Sequence, residues 1–301
     1  MLQTTAKIIA NQKVTPKYYR MTLNCAAIAR KSSPGQFINI DVASKEVFLR
    51  RPFSICNVNG DKLEIIYKVI GPGTEALAAK KKNESLNIIG PLGNGYNIPE
   101  MRVKGQGSRP VRQNLWRSGQ ARVKDNKRVI LVAGGTGVAS LFFLAKKLKS
   151  DFQITVLVGT KTKNELVNIK EFKQLGLEVK VATDDGSAGY KGLVSGLLHK
   201  VLGVDYKSRT THPKRFGGQA DDGRRTTGIY ACGPKLMLKE IALISKNCKI
   251  PCQVSLEEHM SCGVGACMGC VAKIKTKNNK FEYKRVCKEG PVFEAQEVVW
   301  E

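Results

Sequence analysis

From residue 128 onward the chain alternates short, wholly apolar runs with amphipathic ones. RVILVAGG leads into TGVASLFFLAKKLK, which reads as a buried strand, a glycine turn and a helix. ITVLVGT, a helix expected near Glu165–Leu175, and LEVKVATDD repeat the pattern, and IYACGP with PKLMLKEIALISK adds another strand-to-helix step. Strands that alternate with helices in this way form a parallel sheet with crossover connections. Residues 128–250 are therefore expected to be an α/β, Rossmann-like domain.

The preceding part has a different texture. QFINIDV, VFLRRPFSI and LEIIYKVI are short runs separated by Pro34-Gly35 and Asn59-Gly60-Asp61, a spacing that suggests a small antiparallel β-barrel over residues 1–100. Two stretches, 101–127 and about 205–227, lack any sustained apolar period. Extended to Arg128, the first carries nine basic residues against one acidic, and the second six against three. Much of the net charge of +25 thus falls in expected loops, which read as basic insertions between elements. Only Trp116, Tyr206 and Phe216 interrupt them with aromatic rings, too few for a stacking surface, so no nucleic-acid partner is expected. At 42% hydrophobic and 25% charged residues, wholesale disorder is excluded. The uncharged run from Val129 to Ala145 is broken at Gly134-Gly135-Thr136-Gly137 and does not read as a membrane span. The first residues lack a secretory pattern, so a cytoplasmic protein without a membrane is expected.

Nine cysteines in such a chain point to metal or redox chemistry rather than to a disulfide framework. Four of them, Cys262, Cys267, Cys270 and Cys287, fall in one C-terminal segment. A C-x4-C-x2-C run with a distant fourth cysteine is the plant-type [2Fe-2S] spacing. Gly263, Gly265 and Gly269 let such a loop close around a cluster and aim backbone N–H groups at its sulfurs. Zinc is the competing metal, but it commonly draws on two close Cys or His pairs, and this segment has one. Residues 251–301 are accordingly expected to form a small cluster domain.

Other signals are weaker alone. Arg51-Pro52-Phe53-Ser54 ends a strand, with Ile66-Tyr67-Lys68 and Gly71-Pro72-Gly73-Thr74 close behind. An arginine can bridge a pyrophosphate, a glycine allows close approach, and a hydroxyl can address the edge of a flavin. Gly134, Gly135 and Gly137 lie where phosphates sit on a helix N-terminus. Cys232 and Gly233 follow a strand end, where open α/β sheets bind ligands. Together with Gly90-Pro91-Leu92-Gly93-Asn94-Gly95, these motifs resemble the ferredoxin–NADP reductase superfamily. The ending, Ser255-Leu-Glu-Glu-His-Met-Ser-Cys262-Gly-Val-Gly-Ala-Cys267-Met-Gly-Cys270, then Arg285-Val-Cys287-Lys-Glu-Gly-Pro-Val-Phe293, resembles the electron-transfer subunit of NAD-dependent dihydroorotate dehydrogenase.

That resemblance implies FAD contacts from Arg51, Pro52, Phe53, Ser54, Ile66, Tyr67 and Lys68, with Gly73 and Thr74 at its pyrophosphate. It implies an NAD site at Gly134, Gly135, Gly137, Cys232 and Gly233, and a [2Fe-2S] cluster on Cys262, Cys267, Cys270 and Cys287. It also implies a separate FMN-containing catalytic subunit, two copies of each chain in the assembly, and a place in UMP biosynthesis. Two positions depart from the pattern: Ser140 replaces a common proline, and His259 a common arginine. A flavin fits between nicotinamide and a cluster, because it exchanges electrons in twos or singly. His199, His212 and His259 form no evident acid–base centre, which a relay does not need, and no catalytic residue is assigned. The alternative is a ferredoxin- or sulfide-linked NAD(P)H oxidoreductase; Cys262, often aspartate in such relatives, weighs against it. Lys161 suits either a 2′-phosphate or solvent, so the choice of NAD over NADP follows from the resemblance alone.

Overall fold

The computed structural model describes residues 1–44, 46–98, 127–204, 226–276, 278 and 280–300. Most of the two basic stretches, with Trp116, Tyr206, His212 and Phe216, lies outside the described residues. At their margins, Lys127 already accepts a hydrogen bond from the Gln153 N–H, and Thr226 and Thr227 belong to a strand. The expected limit at 227 therefore moves back.

The first part is a seven-stranded sheet of β1 (Leu2–Lys13), β2 (Tyr18–Asn24), β3 (Phe37–Ile40), β4 (Arg51–Ser54), β5 (Asn57–Asn59), β6 (Lys62–Lys68) and β7 (Ser85–Leu92). Its order is β4-β3-β7-β1-β2-β6-β5, with every pair antiparallel. Side chains alternate between faces: Leu86 and Ile88 of β7, Leu63 and Ile65 of β6, and Ile38 and Ile40 of β3 meet in one core. Helix α1 (Ala26–Ala29) adds Ile28 and α2 (Pro72–Ala79) adds Leu77 to the same core. The edge strands β4 and β5 are not paired with each other, so the barrel is open. It still curls back on itself, since Phe53 of β4 meets Tyr67 of β6 with ring centroids 5.6 Å apart.

The second sheet begins with β8 (Arg128–Gly134), which is buried from Val129 onward, as expected for a strand covered on both faces. Helix α3 (Val138–Leu148) follows, then β9 (Gln153–Thr160), α4 (Ile169–Gln174), β10 (Glu178–Thr183), β11 (Tyr190–Lys191), α5 (Val194–Leu202), β12 (Thr226–Cys232), α6 (Lys235–Asn247) and β13 (Cys252–Ser255). These strands run parallel in the order β11-β10-β9-β8-β12-β13. The helix expected near Glu165–Leu175 starts only at Ile169, because Asn168 takes a left-handed φ of +61°. Asparagine tolerates that conformation. Its amide is spent on the barrel, accepting from Arg20 at 2.6 Å and donating to the Cys56 sulfur at 3.4 Å.

The small cluster domain expected at 251–301 is tied to the second sheet at both ends. A hairpin of β14 (Val271–Lys275) and β15 (Phe281–Arg285) stands apart, but β16 (Val292–Glu294) returns and pairs antiparallel with β13. The cysteine segment is thus an excursion between two strands of the second sheet. Three apolar clusters knit the parts together. Phe37 and Leu92 of the barrel share a core with Cys270, Cys287 and Phe293, whereas Tyr18 and Ile66 pack with Val129 and Val138. Among the described residues, no helix is long and apolar enough to cross a membrane.

Candidate functional site

The four clustered thiols lie in the loop after β13 and in the turn after β15. Positive φ angles at Gly263 (+66°) and Gly265 (+83°) fold the loop back on itself. The Cys267 N–H then donates to the Cys262 sulfur, and the Cys287 N–H to the Cys270 sulfur, each at 3.4 Å. Burial opposes charge on Cys262, but N–H groups from Cys267, Val264 and Ala266 outweigh it and bring the thiol down to about 6. Cys287 is pushed up to about 12 by burial and by the adjacent Cys270 thiol. Among the described residues, no three His, Cys, Asp or Glu side chains close on a single ion. The thiols instead associate two by two, 262 with 267 and 270 with 287. That donor set fits a binuclear iron–sulfur centre with two thiolates to each iron, aided by N–H groups that offset their charge.

Arg285 fastens this loop, a role the sequence did not reveal. Its Nη1 donates to the Gly265 carbonyl at 2.7 Å, while Nε and Nη2 hold Glu289 at 3.1 and 2.5 Å. The Glu289 carboxylate is held below its ordinary range by that guanidinium. His259 is exposed and no sequence-predicted role attaches to it.

The candidate flavin residues gather at the open edge of the barrel. Arg51 lies against Gly73: a Cβ on that glycine would be 2.8 Å from the Arg51 Nε. The Thr74 hydroxyl accepts from the Ile70 N–H at 2.9 Å and donates to the Gly71 carbonyl at 3.0 Å, so it builds the turn that opens α2. Pro72 has no N–H and those of Thr74 and Glu75 donate to the Gly71 carbonyl, so it is the Arg51 guanidinium against Gly73, where no side chain intervenes, that suits a pyrophosphate. Ile66-Tyr67-Lys68 splits across the faces of β6. Ile66 faces the second sheet, and Lys68 reaches Glu165 at 2.7 Å with its ammonium 5.5 Å from the Tyr18 ring. Tyr67 turns the other way, into the barrel, where its ring stacks on Tyr19 at 5.7 Å and its hydroxyl donates to Asn11 at 2.9 Å. Only its backbone is left for a ligand on the outer face.

At the carboxyl ends of β8 and β12 the two glycine turns meet. Gly135 has φ +53°, and a Cβ on Gly134 would stand 2.6 Å from the Met237 sulfur and 2.8 Å from Pro234. This is a switch point in strand order, since β9 lies on one side of β8 and β12 on the other. Cys232 is buried there, and burial with the nearby Glu257 carboxylate pushes its thiol well up, so it stays neutral. Ser140, the departure from proline, is buried in α3 with its hydroxyl 3.1 Å from the Tyr96 hydroxyl. Glu257 is solvent-accessible yet closely surrounded by protein, as the wall of a cleft is, and desolvation raises its carboxyl. Sequence patterning had no hold on it, because Glu257-Glu258 reads as an ordinary polar loop.

Comparison with known proteins fits this arrangement. Residues 257–299 match the family described as the iron-sulfur cluster binding domain of dihydroorotate dehydrogenase B. The chain is 37% identical over 296 residues to the dihydroorotate dehydrogenase B (NAD(+)) electron transfer subunit of Caldanaerobacter subterraneus, covering 98% of each chain. It is 35% identical over 300 residues to the subunit of that description from Desulforamulus reducens, again covering 98% of both. Among solved structures it resembles an NADH-dependent reduced ferredoxin-NADP oxidoreductase, with a TM-score of 0.72, 26% identity and coverage of 98% and 90%. A ferredoxin NADP+ reductase from Neisseria gonorrhoeae with bound FAD and NADP shares the fold at a TM-score of 0.56 and 18% identity, covering 79% of this chain and 88% of that one.

Proposed function

The chain belongs to the family of dihydroorotate dehydrogenase B (NAD(+)) electron transfer subunits, and from that premise we propose how its residues pass electrons from a catalytic subunit to NAD⁺. It is the FAD- and iron–sulfur-bearing component of an NAD-linked oxidoreductase whose catalytic subunit is a separate chain, acting in pyrimidine biosynthesis. In this reading the partner carries FMN and oxidises dihydroorotate to orotate, and two copies of each chain assemble. The bound groups supply the redox chemistry: nicotinamide exchanges a hydride, the cluster moves single electrons, and flavin converts between the two.

The polypeptide's part is holding and shielding. Cys262 and Cys267 hold one iron and Cys270 and Cys287 the other, with the Cys267 and Cys287 N–H groups on the sulfurs. Arg51 and the opening turn of α2, with Gly73 and the Thr74-built turn, bind the FAD pyrophosphate. Pro52 and Ser54 flank the ring system, with Ile66, Lys68 and the backbones of Phe53 and Tyr67 alongside, since both of those rings face the barrel core. Gly134, Gly135 and Gly137 receive the NAD phosphates, and Cys232 with Gly233 closes over the nicotinamide end. A neutral, buried Cys232 adds no negative charge beside that dinucleotide. Nine free thiols suit a reducing compartment, and we place the protein in the cytoplasm.

The observation that carries this reading is that the Cys267 N–H donates to the Cys262 sulfur and the Cys287 N–H to the Cys270 sulfur, linking the four cysteines two by two within the span of the family match. A ferredoxin-linked role has support in the 26%-identical structural relative, but the dihydroorotate dehydrogenase subunits are more similar over the same span. The deciding experiment compares the purified chain with and without an FMN catalytic subunit. Alone it should reduce ferricyanide with NADH and leave dihydroorotate untouched; with the partner, dihydroorotate should reduce NAD⁺. Dihydroorotate oxidation by the isolated chain, or none in the assembled pair, would overturn the reading.

A further inference from the structure

Asn39 is the polar residue of the otherwise apolar strand Phe37–Ile40, and it is 1% exposed. Across the ladder from β3 to β4, Asn39 stands opposite Pro52, and Phe37 opposite Ser54. Directly opposed residues share a face, so Asn39 lies on the face of Pro52 and Ser54, away from the barrel core filled by Ile38 and Ile40. That face meets the cysteine loop. The Asn39 Nδ2 donates to the Cys262 carbonyl at 3.2 Å, and a Cβ on the next residue, Gly263, would lie 2.4 Å from the same nitrogen.

The contact fixes the amide's orientation. A carbonyl can only accept, so the nitrogen must face Cys262, and the buried Oδ1 is left with no donor among the described residues. Leaving such a buried group unsatisfied is unfavourable. Leucine would suit the apolar neighbours Phe37, two residues away on the same face, and Ile89, opposite on β7, without that penalty, so packing does not account for the amide. Its position between the flavin-bearing sheet and the first cluster ligand does. We propose that Asn39 is a positioning residue for electron passage, holding the Cys262 peptide against the β3–β4 ladder so that flavin and iron centre keep one separation. The inference rests on the reading above, in which β4 contacts FAD and Cys262 binds iron. Asn39 itself acts only through the Cys262 carbonyl.

The test follows electrons from NADH into the full-length protein. NADH is oxidised to NAD⁺ as its hydride reduces the flavin. The hydride brings two electrons and one proton: one electron passes to the iron centre and converts one Fe(III) to Fe(II), the other stays on the flavin until added ferricyanide takes it, and the single proton returns to water when the flavin is fully reoxidised. Flavin bleaching and the paramagnetic signal of the reduced cluster are timed separately by stopped flow and freeze-quenching. In Asn39→Leu, the ratio of cluster reduction to flavin reduction should fall about tenfold, and the cluster's g-values should shift. Gly263→Ala, which pushes on the amide from the other side, should lower the ratio in the same direction, and it decides the matter if Asn39→Leu fails to hold its cofactors. A native ratio with a native signal in the cofactor-replete variants would overturn the inference alone. Wild-type protein lacking flavin or iron would overturn the functional reading as well.

Discussion

A side chain on Gly137 would stand 2.1 Å from the carbonyl oxygen of Cys232. The turn after β8 and the end of β12 therefore touch backbone to backbone, and the proposed NAD site is built on that contact. Gly137→Ala must separate the two turns. Overpacking of this kind costs about 1–3 kcal/mol, and mispositioning worth about 1.4 kcal/mol is tenfold in rate. Flavin reduction by NADH should fall about tenfold or more, with FAD and iron contents retained. Stopped-flow absorbance measures it, and a native rate would refute the assignment.

Arg285 is expected to matter for iron rather than for flavin. Its guanidinium joins the Gly265 carbonyl to Glu289, so it ties the loop that carries Cys262 and Cys267 to the turn that carries Cys287. Arg285→Ala should lose iron during desalting while the flavin spectrum persists. Iron and flavin assays on one sample check this. Equal loss of both would indicate general unfolding instead.

How much of this was legible in the sequence depended on whether the signal was local. The apolar run of β8 and the glycines after it are adjacent in the chain, so strand, turn and helix could be read directly. The cysteine spacing is local as well, apart from Cys287. By contrast, β16 has three residues and no period to read; its place comes from pairing with β13, across the whole cysteine loop. Asn39 is polar within FINI, yet nothing local ties it to the cluster, because its partner lies 223 residues away. Tyr67 shows the limit of carrying a motif over residue by residue. Neighbours on a strand face opposite ways, so its ring fills the barrel while Ile66 and Lys68 face outward.

The return of β16 has a pH signature. Burial, with the nearby Glu297 carboxylate, raises Glu294 to about 7 from the ordinary 4.5, against a hydrogen bond from Gln253. A folded-state pKa raised above the unfolded one means the native protein binds the extra proton between these values. Stability contributed by that proton is present below pH 4.5 and lost as pH rises through 7. Glu294→Gln should match the wild type at pH 4 and exceed it at pH 8, by on the order of 1 kcal/mol after allowing for partial exposure. Urea unfolding at the two pH values tests the sign.

Met268 lies between two cluster cysteines and is 59% exposed, with Phe281 and Tyr283 exposed on the neighbouring hairpin. An exposed apolar patch beside the cluster cysteines is where a catalytic subunit would dock closely enough to pass electrons. In Met268→Glu, the ratio of dihydroorotate-driven to NADH–ferricyanide turnover should fall about tenfold, as burying an unpaired charge at an interface core costs more than 1 kcal/mol. Titration of the variant with the FMN subunit measures it. An unchanged ratio would move the docking face elsewhere.

The most direct measurement is cofactor analysis of the purified chain combined with its paramagnetic spectrum before and after NADH. Iron and acid-labile sulfide should each be about twice the FAD content, as one [2Fe-2S] centre per flavin requires. NADH should bleach the flavin and bring up a single reduced-cluster signal, which Cys267→Ser should lose or weaken while retaining FAD. A protein with full flavin and no iron, or with iron that NADH cannot reduce through the flavin, would contradict the relay.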